Sequence, residues 1–187
     1  CSQLVRKLKE LEERGAIVKN NEILVIPSVN PSSMNISKRF WPTDDTDINR
    51  MYPGDPGGET TKRIASGVFD VARQYNYGIQ FTSFYIPGDF VPHVRMMDTG
   101  YQNPSLANLF GLPYVVVRKV SPFDTTTLNY NWQMNQTNAF SVYTRETDRI
   151  DEESAGQAVS AILRESGAFL ERPKRTGVKR RVKTKRQ

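Results

Sequence analysis

Residues 22–65 read EILVIPSVNPSSMNISKRFWPTDDTDINRMYPGDPGGETTKRIA. The stretch opens on a short, branched, apolar run (22–29). It then crosses a segment rich in Pro, Ser, Asn, Asp and Gly (30–58) and ends in a sequence of helical character. An apolar run of this length without polar alternation predicts a strand buried on both faces, as in parallel sheets covered by helices. In open α/β sheets ligands sit beyond the carboxyl ends of the strands. A polar loop of this length inside a domain is usually functional, so 30–58 is where a site is expected.

The same alternation continues outward. Leu4, Leu8 and Leu11 recur at helical spacing and Gly15 follows as a stop, which predicts a surface helix over 2–14. Residues 59–75 predict a helix with Ile64, Val68, Val71, Ala72 and Tyr75 on one face, and 77–85 a strand ending at a Pro87-Gly88 turn. Asn103 and Pro104 suit the cap and first position of a short helix through Phe110. LPYVVV at 112–117 predicts the most deeply buried strand, and 139–144 a further one. Asp151 is expected to cap a helix with Ala155, Val159, Ile162 and Leu163 on its face. No internal repeat is visible. Strands alternating with helices indicate an α/β layer with a largely parallel sheet.

Composition narrows the function. The 187 residues carry 26 Lys or Arg against 20 Asp or Glu, a formal charge of +6. Nine of the basic residues fall in 172–187, which hold no acid. Without them the charge is −3, and the apolar share, counting Gly, is about 45%, as in ordinary globular domains. The expected organisation is therefore one domain, 1–171, and a basic, disordered tail, 172–187. The tail could neutralise phosphates, but it has no aromatic residue to stack on bases. No run is apolar enough for a membrane-spanning helix. One cysteine, Cys1, excludes a disulfide framework and a Cys-rich zinc module. With His93 as the single histidine, the chain alone is poorly equipped for a catalytic zinc. A chain that opens on Cys without a charged-then-apolar leader is expected to be a piece of a longer cytoplasmic protein.

Most short motifs dissolve on inspection. Asp45-x-Asp47-x-Asn49 imitates a calcium loop, but Arg50 and Pro56 stand where Gly and Glu are required. Pro53 to Gly58 precede a helix, yet no Lys-Ser/Thr follows, and Asp55 and Glu59 would repel a phosphate. His93, in PHVR, is either a ligand or acid–base group or a polar residue near a strand end. The sequons at Asn35 and Asn135 have no secretion signal beside them. Lys38-Arg39-Phe40 and Asp47-Ile48-Asn49-Arg50 remain. They are either surface ion pairs or an anion site, since an Arg fork suits a carboxylate or an oxyanion and Asn adds a directional donor.

Residues 30–65 resemble the succinylglutamate desuccinylase/aspartoacylase family, relatives of the zinc carboxypeptidases. The likeness rests on Asn30-Pro31, Lys38-Arg39-Phe40, Asp47-Ile48-Asn49-Arg50-Met51-Tyr52-Pro53-Gly54 and Gly58-Glu59-Thr60-Thr61-Lys62-Arg63-Ile64-Ala65, in that order. It extends over about residues 1–170. The resemblance implies a mixed, mostly parallel twisted sheet with helices on both faces. It also implies zinc-dependent hydrolysis of an amide in a small, carboxylate-bearing N-acyl amino acid. By position, Arg39 would steady the oxyanion, and Asn49 with Arg50 would hold the substrate carboxylate. The family's H-x-x-E zinc ligands would lie upstream of Cys1. Its third ligand position, in Gln80-Phe81-Thr82-Ser83, is taken by Thr82, with His93 a few residues on as a possible substitute. The nearest acid to the family's glutamate base is Glu146. These departures imply an inactive fragment of a zinc hydrolase, or else a member that binds its ligand without hydrolysing it. Nucleic-acid binding through the tail is a third reading.

Deleting 172–187 is expected to leave the folded domain intact, because the segment has almost nothing to bury. Thermal unfolding of the truncated chain checks this: a large drop in Tm would show the tail to be docked.

Overall fold

The computed structural model describes residues 1–17, 22–84, 86–147 and 152–165. In chain order the elements are α1 (Ser2–Glu13), α2 (Pro31–Asn35), α3 (Thr60–Ala72), β1 (Tyr77–Thr82), β2 (His93–Asp98), α4 (Pro104–Ala107), β3 (Tyr114–Lys119), α5 (Leu128–Met134), β4 (Asn138–Tyr143) and α6 (Glu152–Glu165), with short 3-10 turns between some of them. The four strands form one sheet in the order β1-β4-β2-β3. β1 pairs with β4 and β2 with β3 in parallel, while β2 and β4 run antiparallel. The sheet is therefore mixed and mostly parallel, as expected.

β4 lies between β1 and β2, and from Ala139 to Tyr143 it is buried throughout. Its alternating side chains divide the core. Phe140 and Val142 point to one side, where Val94 and Met96 of β2 meet Ala107, Phe110, Ala158 and Ala161 from α4, its 3-10 extension and α6. Ala139 points to the other, where Trp132 and Leu128 of α5 meet Ala65, Phe69 and Ala72 of α3. Helices thus cover both faces. α1 packs through Leu4, Leu8 and Leu11 against Val159 and Leu163 of α6. The small pair Gly78 and Ala139, opposite each other in the β1–β4 register, forms the seat of Trp132.

Several expectations change. Residues 22–29 form no strand, and Ile23, Leu24 and Ile26 are exposed. A strand is held by its ladder, and among the described residues no strand lies beside this run. LPYVVV forms a strand, β3, but at the sheet's edge rather than in its interior, with Tyr114, Val116 and Val117 exposed. The most buried strand is β4. The buried face of α3 is Thr61, Ala65, Ser66, Phe69 and Ala72, with Val71 outside. Small side chains, not the largest apolar ones, let this helix approach its neighbours. β2 and α5 have no counterpart in the expected order, because the alternation in β2 runs only from His93 to Met96 and LNYNWQM mixes polar and apolar residues too evenly to declare a period. The helix from Pro104 forms as expected, with Asn103 Oδ1 accepting from Leu106 N at 3.2 Å. Tyr85, the Asp151 cap and the basic tail lie outside the described residues.

One ion pair with a buried carboxylate ties β3 to the connection that follows it. Asp124 accepts from Arg118 Nη2 through both oxygens at 2.8 and 2.7 Å and from Ser121 Oγ and N at 2.6 and 2.9 Å. Burial alone would raise the Asp124 carboxyl, but these donors outweigh it and hold it below its ordinary value.

A Cβ at Gly78 would stand 2.7 Å from the Trp132 ring, whereas one at Gly67, on the exposed side of α3, would meet nothing within 4 Å. Gly78→Ala is therefore expected to cost about 1–3 kcal/mol of stability. Gly67→Ala should gain about 0.5–1 kcal/mol through helix propensity. Thermal denaturation of the two variants against the parent chain measures the opposite shifts.

Candidate carboxylate-binding site

The 30–58 loop is built around short polar side chains that satisfy local backbone. Asn30 Oδ1 caps α2 by accepting from Ser33 N at 3.1 Å, and Ser33 Oγ donates to the Phe40 carbonyl. Asp44 reaches the start of α3, accepting from Thr61 N at 3.2 Å and Thr61 Oγ1 at 2.5 Å. The Thr61 hydroxyl is the main reason the Asp44 carboxyl lies below its ordinary value. Gly54 adopts φ +93°, a left-handed conformation suited to glycine, and any Cβ there would stand 2.1 Å from Ser66 N. The loop is fastened onto α3 at both places.

Between these anchors sit the residues singled out in the sequence. Asp47 uses both carboxylate oxygens. Oδ2 accepts from Arg39 Nε and Nη2 at 3.1 and 2.7 Å, and Oδ1 accepts from Asn49 N at 3.0 Å, capping the 3-10 turn Ile48–Arg50. Asn49 Oδ1 accepts from Leu128 N at 3.2 Å and Gln80 Nε2 at 3.5 Å, joining the loop to α5 and β1. Arg50 Nη1 donates to the Phe123 carbonyl at 3.0 Å. Arg39, Asn49 and Arg50 are thus brought together on one short frame. Glu146 lies beyond the end of β4, in a bridge with Asp89.

The sheet supplies the floor. Strand register aligns Gln80, Ser141 and Arg95 in one row and Thr82, Tyr143 and His93 in the next. Paired residues share a face, so both rows lie on the α3–α5 side with Gln80 and its partner Asn49. Tyr143, at the carboxyl end of β4, is buried. The His93 ring stacks on it at 4.7 Å and 7°, and Arg95 lies 4.4 Å from its centroid while Nη2 donates to the hydroxyl. His93 Nδ1 lies 3.0 Å from the Val91 carbonyl. Tyr143 therefore separates Thr82 from His93.

Sequence reasoning missed Gln80, Arg95 and Tyr143. Recognising β2 would have found Arg95, since it alternates with buried Val94 and Met96. Asn129 was missed as well. It is 2% exposed, and among the described residues neither atom of its amide has a hydrogen-bond partner. One turn later Gln133 grips the Met97 backbone of β2 through N and O at 2.9 and 2.8 Å. Helical spacing puts Asn129 on that same side of α5.

Among the described residues no group of three His, Cys, Asp or Glu could hold a metal ion. Thr82 offers only a hydroxyl, a poor zinc ligand. The described residues do not fit a zinc site.

No protein-family model matches the chain. Over 108 residues it is 25% identical to the N-alpha-acetyl-L-2,4-diaminobutyric acid deacetylase of Halomonas elongata, covering 51% of this chain and 30% of that protein. Among solved structures, the product-bound ectoine utilization protein EutE (DoeB) from Ruegeria pomeroyi superposes with a TM-score of 0.73 at 18% identity, over 91% of this chain and 55% of that one. A succinylglutamate desuccinylase from Silicibacter sp. TM1040 gives 0.73 at 19%, over 89% and 54%. The succinylglutamate desuccinylase/aspartoacylase from Rhodobacter sphaeroides gives 0.66 at 21%, over 79% and 46%. The chain thus spans about half the length of these structures and under a third of the curated relative.

Asp47→Ala removes the turn cap and the hold on Arg39 together, and about 1–2 kcal/mol of stability should go with them. Asp47→Asn, which keeps an acceptor at Oδ1, should lose less. Urea midpoints of the two variants give the comparison.

Proposed function

We propose, from a chain with the fold of the succinylglutamate desuccinylase/aspartoacylase proteins, that it forms the carboxylate-binding part of a hydrolase cleaving the amide of a small N-acyl amino acid. The observation that carries this reading is the Asp47 frame, in which one carboxylate both holds the Arg39 guanidinium and caps the turn that bears Asn49 and Arg50. Asn49 commits its amide oxygen to Gln80 and Leu128, leaving Nδ2 as a donor for a ligand. Arg50 is the group for the substrate carboxylate. Arg39, aimed by Asp47, is the group for charge that develops on the scissile carbonyl. Glu146 is the acid assigned to proton transfer. The likeness to a deacetylase of an acylated diamino acid supports the substrate class.

Zinc dependence belongs to this reading only through ligands outside the described residues, and no step is assigned to the metal. The 187-residue chain alone is accordingly inactive in this reading. The small substrate is, in this reading, met in the cytoplasm. Among the described residues no helix is long and apolar enough to cross a membrane.

A second reading, binding without hydrolysis, is favoured by one specific observation. The row at the carboxyl ends of β1 and β4 is Thr82, Tyr143 and His93, with no acid in it.

Kinetics of the longer parent protein on an N-acetyl amino acid test the proposal. Arg50→Ala should mainly raise KM, and Arg50→Lys should restore part of the loss, since an ammonium keeps the charge but not the fork. Arg39→Ala should mainly lower kcat, on the order of 10²–10³. If both variants leave kcat and KM within about 1 kcal/mol of the parent, as for surface ion pairs, the site is elsewhere. A parent that binds but never turns over the amide would establish the second reading.

A further inference from the structure

We infer that the outer edge of β3 is a self-pairing surface, closed in solution by the β3 strand of a second copy running antiparallel. β3 is the last strand of the sheet, and among the described residues no strand pairs with its outer side. Such a row of backbone donors and acceptors is a template for another strand, and edge strands are normally blunted by charges, proline or a bulge. β3 carries apolar side chains there instead. Tyr114, Val116 and Val117 are 61%, 37% and 41% exposed, and the charges Arg118 and Lys119 come only at its end.

The order of these residues selects the partner and the register. A two-fold axis perpendicular to the sheet at Val116 sets Val116 opposite its own copy, Val115 opposite Val117 and Tyr114 opposite Arg118. Each opposed pair then lies on one face, as an antiparallel ladder requires. The two Tyr114–Arg118 contacts are cation–aromatic pairs, favourable across strands. Asp124 already holds the Arg118 guanidinium by its edge, and a planar guanidinium held this way still offers its face to a ring. Parallel addition in register would instead set Arg118 against Arg118 and Lys119 against Lys119. Pro113, lacking an N–H, ends the ladder at one side. Charge and symmetry therefore favour a copy of the same strand in the antiparallel sense.

Disulfide trapping on the full-length protein, with Cys1 replaced by Ser, tests this. Opposed residues of an antiparallel pair have Cα atoms ~4.5–5.5 Å apart, within disulfide reach. Val116→Cys should cross-link to a covalent dimer under mild oxidation, while Val117→Cys, opposite Val115, should cross-link far less. Light scattering should give twice the monomer mass for the native protein. Val116→Lys, which sets like charges face to face, should weaken dimerisation at least tenfold with an unchanged circular dichroism spectrum. A monomeric native protein overturns the inference, whether the thiol introduced by Val116→Cys is then reactive (an open edge) or shielded (another part of the polypeptide on the edge). A dimer in which the Val116→Cys variant does not cross-link overturns it as well.

Discussion

The amide oxygen of Asn49 is the junction on which the arrangement depends. It accepts from a backbone N–H at the start of α5 and from a side chain in the middle of β1, groups 79 and 31 residues away in the chain. A loop that would otherwise be free to wander is thereby registered against the sheet and against a helix at once. Asp47 completes the junction from inside the loop, because one carboxylate both shapes the turn bearing Asn49 and orients Arg39. The result is a polar frame held by hydrogen bonds rather than by apolar packing. The bonds of Asn49 are partly buried, where such bonds are harder to replace with water, while the Arg39–Asp47 pair is exposed.

The sheet explains why the frame faces what it does. β1 and β4 run together, β2 and β3 run together, and the two pairs meet antiparallel. The carboxyl ends of β1 and β4 therefore lie beside the beginning of β2, which brings His93 and Arg95 to the same edge as Thr82 and Tyr143. A fully parallel sheet would have sent β2's first residues to the opposite edge. The stacked Tyr143 and His93 rings, with Phe84 tilted against Tyr143 and the Arg95 guanidinium over it, are a consequence of that single reversal.

What could be read from the sequence follows from how local each determinant is. The helices opening at Ser2 and Pro104, the strand at Ala139 and the loop from Asn30 declare themselves through caps, spacing and composition, all of which act within a few residues. The grouping of Arg39, Asn49 and Arg50 was legible for the same reason, since one turn and one carboxylate hold it. Strand order was not. Whether an apolar run such as LPYVVV ends in the middle or at the edge depends on which other strands flank it, and 22–29 stays unpaired for want of a neighbour among the described residues. The facing side of Arg95 could have been read from its alternation with Val94 and Met96, but its pairing with Tyr143 arises from cross-strand register, which no local pattern encodes. The α3 face was misread because burial there follows small side chains, Ala65, Ser66 and Ala72, that a search for large apolar residues passes over.

The central position of β4 governs the order in which the molecule can assemble. Among the described residues β4 is the last of the four strands to be made, yet the two other parts of the sheet join only through it. Until it arrives, β1 on one side and the β2–β3 pair on the other have no common ladder, and the apolar faces meant for Phe140 and Val142 remain open to water. Closure then draws on contacts far apart in sequence, the kind whose loop-entropy cost slows folding and prolongs the exposure of sticky intermediates. On the ribosome the nascent sheet must therefore wait in a partly made form until this fourth strand emerges.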